Sequence, residues 1–214
     1  DQSGDTDFAQ ADRLVSQANR DLTPVESADL AIELEREARP VIVRYGLGDQ
    51  FAGDPWLLKR EDFERAGRAF YCAARLRRDV DDPGYQKRLD AAGLFCRGRA
   101  LLFEASGQAD AEKALKQSID KDPGLAEPRN ALGVLYLEGG RFEQARSQFT
   151  DAIARAPLWA YPRHNLALTL VELGRRRAAA GQYREAIERN PNYPYLRYNL
   201  ALAELQLGRA KEAR

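Results

Sequence analysis

Residues 126–157 read AEPRNALGVLYLEGGRFEQARSQFTDAIARAP. Leu132 and Tyr136, then Phe142 and Phe149, recur at helical spacing, which predicts two amphipathic helices in succession. Gly139 and Gly140 separate them and supply the positive backbone angle that ends a helix, while Pro157 stops the second because it has no amide to continue the ladder. Gly133 and Ala145 are small where two antiparallel helices must approach most closely, since a larger side chain there would push the axes apart.

The stretch is one turn of a repeat. Pro123, Pro157 and Pro191 stand 34 residues apart, and Leu132, Leu166 and Leu200 keep the same interval. So do Gly140, Gly174 and Gly208, then Ala145, Ala179 and Ala213, then Phe149 with Tyr183 and Ala152 with Ala186. Self-similarity at this period is the mark of stacked helix pairs, each burying its apolar face on the next. The pattern resembles the tetratricopeptide repeat family, over three units beginning near residues 126, 160 and 194, the last broken off after Ala213. The resemblance implies an all-α fold, a right-handed α-solenoid of antiparallel helix pairs with about 10 to 11 helices. An exposed half-repeat makes a poor cap, so a longer native chain is expected, and the opening at Asp1 rather than methionine points to a processed product or a fragment.

Upstream the pattern loosens. Residues 109–123 carry Ala111, Leu115 and Ser118 in the small, large and small places of a second helix, and residues 85–105 would be its first helix. Gly98 and Arg99 do not reproduce the leucine-glycine pair there, so the register is open. Phe63, Ala66, Phe70 and Ala73 repeat second-helix spacing, with a partner helix expected over 25–45, capped by Thr23, Pro24 and Glu26 and bent or ended at Pro40. Residues 46–55 read as a glycine-rich loop matching no phosphate-cradling motif. Residues 5–19 make a leading amphipathic helix with Phe8, Ala11, Leu14, Val15 and Ala18 on one face. The expected division is a degenerate helical region over 1–122 and three repeat units over 123–214.

Composition removes several functions. Thirty-three basic residues cancel 33 acidic ones, leaving no net basic field of the kind that neutralises phosphates, so nucleic acid is not expected as a partner. Mean hydropathy is −0.58 and no run approaches a membrane span, so no membrane insertion is expected. Cys72 and Cys96 exclude a disulfide scaffold or a cysteine zinc site and leave a single bridge open. One histidine, His164, and the absence of a serine elbow, a HExxH motif or a Walker loop leave no credible catalytic set, so no catalytic residue, cofactor or metal site is expected.

The family binds extended or helical peptides on the concave surface lined by first helices. By position, the resemblance places Asn130, Val134, Tyr161, His164, Asn165, Leu168, Tyr195, Tyr198, Asn199 and Leu202 in that groove. Asn165 and Asn199 share one repeat position, where an amide can donate to and accept from a peptide backbone, and Ala131 interrupts the ladder. A packing role between repeats stays open for the same residues, Tyr161, Tyr193 and Tyr195 above all. The clamp that some members use to hold a terminal carboxylate needs basic residues where this chain has Asn130 and His164, or Glu127, Tyr161 and Tyr195, and so does not fit. Arg175, Arg176 and Arg177 oppose a helix dipole and read as a solvated run or a contact for an anionic partner. Glu204 stands where a buried aromatic is usual, and Arg129, Arg163 and Arg197 stand where the family often has tryptophan, with pairing to neighbouring carboxylates expected. The expected function is a scaffold or adaptor that binds a partner peptide or protein. The rivals are the non-catalytic repeat region of a larger enzyme and self-association through the exposed last repeat.

Overall fold

The computed structural model describes residues 3–47, 58–77 and 82–208. Among them are ten α-helices and one short 3₁₀ turn, with no strand. Most of the loop expected over 46–55, and Ala213, lie outside the described residues. The chain forms two compact units, residues 1–123 and 124–214.

In the first unit, α1 (Ser3–Asp21) and α2 (Pro24–Leu47) both pack on α3 (Arg60–Leu76), which packs on α4 (Pro83–Leu101). The 3₁₀ turn Ala105–Gly107 then leads into α5 (Gln108–Lys121), which packs on α4. Helix α2 opens with a reciprocal cap: the Glu26 amide donates to Thr23 Oγ1 at 3.3 Å, and the Thr23 amide donates to Glu26 Oε2 at 2.8 Å. The Thr23 amide and the Thr23 hydroxyl, which both donate to Glu26 Oε2, hold the Glu26 carboxyl below its ordinary pKa. The helix does not end at Pro40 but runs through it to Leu47. Pro40 and Arg36, whose carbonyl loses its partner, are both exposed, so water can take the freed group.

Ala11 and Val15 of α1 are buried as the amphipathic pattern requires, but Leu14 is exposed, because α1 is covered chiefly on its α3 side. Phe63, Ala66, Phe70 and Ala73 of α3 are all buried. Phe63 meets Phe95 of α4 edge to face at 6.4 Å, and Tyr45 meets Phe95 at 5.1 Å. Both cysteines are free thiols, and burial raises their pKa values.

The register left open in α4 is settled by Gly98. A Cβ placed there would lie 2.8 Å from Leu115 Cγ, and one on Gly133 would lie 2.5 Å from Phe149 Cε1. Gly98 is therefore the small residue of its helix pair, preceded by Arg97 rather than leucine. Ser118 is fully buried in a small place, where its hydroxyl donates to the Ala91 carbonyl at 2.7 Å. The first helix expected over 85–105 stops four residues early, at Leu101.

The second unit is a helical-repeat solenoid: α6 (Glu127–Glu138), α7 (Phe142–Arg155), α8 (Ala160–Glu172), α9 (Arg176–Arg189) and α10 (Pro194–Gln206) pack in succession, and α6 also meets α8. Of the paired glycines only Gly140 takes a positive φ, +70°, matched by Gly174 at +71° and Gly208 at +75°. The Arg141 amide donates to the Tyr136 carbonyl at 2.8 Å and the Gly140 amide to that of Leu137 at 3.1 Å, a Schellman closure that returns the chain antiparallel. Ala145, Phe149 and Ala152 of α7, with Ala179, Tyr183 and Ala186 of α9, form the buried seam.

Candidate functional site

The first helices α6, α8 and α10 carry the positions expected to line a groove. Their arginines turn to another task. Arg129 is buried and pairs with Asp151 of α7 at 3.5 Å, and Arg163, equally buried, pairs with Glu185 of α9 at 2.7 Å. The same link, from a first helix to the second helix of its own repeat, is built twice. Arg197 is exposed and instead donates to the Pro191 carbonyl at 3.1 Å.

Val134, Leu168 and Asn199 are half-buried, as are Tyr161, His164 and Asn165. Asn130 is only 4% exposed, and its Oδ1 accepts from Asn165 Nδ2 at 3.0 Å. The amide link between α6 and α8 thus starts one residue before Ala131, a slip the 34-residue register does not reveal. It leaves Asn165 with its Oδ1 for other contacts, whereas the Asn199 side chain makes no hydrogen bond among the described residues.

An aromatic row runs from α8 into α10. Tyr161 packs on Tyr193 with ring centroids 5.4 Å apart, Tyr193 packs on Tyr195 at 5.7 Å, and His164 meets Tyr193 and Tyr183 at 5.9 Å each. Burial among these rings lowers the His164 pKa to about 4, so the imidazole is neutral at neutral pH, and burial raises Tyr183 to about 12. His164 Nδ1 is buried without a hydrogen-bond partner. No group of three or more candidate metal ligands occurs among the described residues.

Along α10 the same register emerges into solvent. Tyr195, Tyr198, Leu202 and Leu205 are 50%, 67%, 44% and 54% exposed, at successive steps of three, four and three residues on one helix face. The matching residues of α8, Tyr161, His164, Leu168 and Val171, are half-buried. This apolar stripe, broken by amides, can hold a chain by its side chains and its backbone together.

The first unit holds a cleft of about 590 Å³ between α3, α4 and α5, lined in part by Tyr71, Arg75, Asp90, Leu94, Arg97 and Lys121. No sequence motif announces it. Arg75 is already committed there, stacked on the Tyr71 ring at 3.3 Å and bonded to Asp90 at 3.4 Å. No described helix is long and apolar enough to cross a membrane.

Tetratricopeptide repeat models match residues 105–164 and 164–214. Two crystal structures of MamA are similar at 23% and 20% identity, each with a TM-score of 0.57. They cover 72% and 88% of this chain and 84% and 86% of their own. The first repeat domain of Spaghetti (RPAP3), bound to the HSP90 peptide SRMEEVD, is similar at 18% identity with a TM-score of 0.54, over 56% of this chain and 98% of that one. These likenesses show the fold. No curated protein matches the chain. The matched repeats together span residues 105–214, just over half of the sequence, and α6 to α10 build the helix pairs they describe, so the chain belongs to the tetratricopeptide repeat family.

Proposed function

We propose that the second unit binds a partner polypeptide along the face shared by α8 and α10, as an interaction scaffold without catalytic chemistry of its own. The observation that carries this reading is the exposed stripe of Tyr195, Tyr198, Leu202 and Leu205, in register with Tyr161, His164, Leu168 and Val171. Members of the family are protein-interaction scaffolds in general and typically non-catalytic, and the peptide-bound neighbour is in keeping with that use. The ligand class differs from that neighbour's acidic peptide. Where the resemblance would have a carboxylate clamp place its cations, this chain has Glu127, Asn130, Tyr161, His164 and Tyr195, and the His164 imidazole is neutral. The partner is held by apolar side chains against the tyrosines and by backbone contacts to Asn199 and the Oδ1 of Asn165, many modest contacts rather than a deep pocket.

Site-specific photo-crosslinking tests the reading. A crosslinker replacing Leu202 should capture the partner, and one replacing exposed Gln144 of α7 should not. Equal capture from both positions would remove the groove assignment. The exposure of the stripe also favours a second reading, association of copies of the chain through α10.

A further inference from the structure

The neutral total charge conceals a division. Residues 1–123 carry 19 lysines and arginines against 24 aspartates and glutamates, and residues 124–214 carry 14 against 9. The first unit is therefore net negative and the second net positive, by five charges each. Each unit also presents an apolar stripe on the solvent side of a helix. On α10 it is Tyr195, Tyr198, Leu202 and Leu205. On α2 it is Val25 and Ile32 toward one end and Val43 and Leu47 toward the other, between 44% and 70% exposed, with the exposed Arg36 and Arg39 between them. Among the buried residues of α2, Ser27, Ala31, Ala38 and Val41 fall on the other side of the helix.

The charges beside the two stripes differ in sign. On α2, Arg36 and Arg39 are taken by Glu33 and Glu35 of the same helix, while Asp29 and Glu37 meet no cation among the described residues. Around α10, Arg197 donates to a carbonyl, Arg176 donates to Gln206 at 3.1 Å, and neither they nor Arg177 meets a carboxylate among the described residues. Pairing α10 with α10 would bring these arginines against their copies, and pairing α2 with α2 would do the same to the carboxylates. Only the mixed pairing sets opposite charges around two exposed apolar faces.

We propose that copies of this chain associate head to tail, the exposed face of α2 in one copy docking on the exposed face of α10 in the next. The inference rests on the second reading, self-association through α10, and adds its partner surface and polarity. A contact between two different faces leaves one of each unfilled, so the assembly extends with concentration until copies close a ring. Its charged rim makes it weaken as salt rises.

Two blocked variants of the full chain test the polarity: Val25→Asp with Ile32→Asp on α2, and Tyr198→Asp with Leu202→Asp on α10, all at exposed positions, with helix content checked by circular dichroism. The corresponding alanine variants serve if an aspartate variant loses helicity. Light scattering is expected to show wild-type mass rising above that of the monomer with concentration and falling in high salt, each variant alone staying monomeric, and their equimolar mixture stopping at twice the monomer mass. A mixture that stays monomeric overturns the head-to-tail contact. If the α2 variant assembles like wild type and the α10 variant does not, the inference fails while self-association through α10 stands. A wild type that is monomeric at every concentration, or two variants that both assemble like it, removes self-association through α10 as well.

Discussion

Asn165 Nδ2 donates to Asn130 Oδ1 at 3.0 Å, joining the first helices of two successive repeats across a sequence separation of 35 residues. The acceptor is buried and the donor half-buried, so the bond is partly shielded from water and fixes how α8 sits on α6. Asn165→Ala and Asn130→Ala should each lower stability, and the double variant should lose less than the sum. The expected coupling is about 0.5–1.5 kcal/mol in a urea-unfolding cycle. Simple additivity would show that the two amides do not act on each other.

Two glycines predict opposite outcomes for one substitution. Gly133→Ala puts a Cβ 2.5 Å from the ring of Phe149, which is fully buried and cannot swing aside, and should cost about 1–3 kcal/mol. Gly181→Ala, inside α9 with no atom beyond the surrounding helix backbone within 4 Å of the added Cβ, should stabilise by about 0.5–1 kcal/mol. Thermal melts of both variants beside wild type check the pair, and the reverse order would refute the packing described for α6 and α7.

Glu204 is 2% exposed at a place where the repeat usually buries an aromatic, and Arg184 of α9 is its ionic partner. Removing the cation by Arg184→Ala leaves a carboxylate poorly paired in the interior and should cost about 1–3 kcal/mol. Replacing both, as Arg184→Leu with Glu204→Phe, should cost less than Arg184→Ala alone, because well-packed apolar residues replace a buried ion pair at little or no loss. Chemical denaturation orders the three proteins.

Acid should destabilise the second unit through His164. Its folded pKa is about 4 against an ordinary 6.5, so the unfolded chain binds the proton more readily. The stability is complete above about pH 6.5 and declines as pH falls toward 4, by an amount on the order of 2–3 kcal/mol. His164→Phe should flatten the stability profile over that window relative to wild type, and an unchanged slope would show that the imidazole titrates normally.

How much of this was legible beforehand divides along the repeat. From residue 126 onward, the two helices of each repeat, the glycine closures and the pairing of Arg129 and Arg163 with carboxylates follow from residue type and interval, because each position repeats a packing constraint, whereas Arg197, expected to pair likewise, donates to a carbonyl. Asn130 escaped that logic, since its partner lies 35 residues away and not 34. In the first unit, Leu14 obeyed helical spacing and still faced solvent, because amphipathicity marks a stripe without saying how wide its cover is. Pro40 leaves a bend or an end open in the sequence, and the helix does not end there, because a proline with its freed carbonyl in water can remain inside a helix. Gly98 lacked its leucine neighbour, and only the approach of Leu115 identifies it as a contact residue. The opposed charges of the two units were invisible in a total of zero, and appear only when the chain is divided where its contacts divide.

The groove itself is tested most directly by calorimetric titration of the captured partner against wild type and a variant with Tyr198→Ala, Asn199→Ala and Leu202→Ala. Tyr198 and Leu202 are exposed and Asn199 is half-buried without a side-chain hydrogen bond among the described residues, so the fold should be retained. Binding along α8 and α10 predicts a loss of about 2–4 kcal/mol in affinity with unchanged helix content. Undiminished affinity in the triple variant would contradict it.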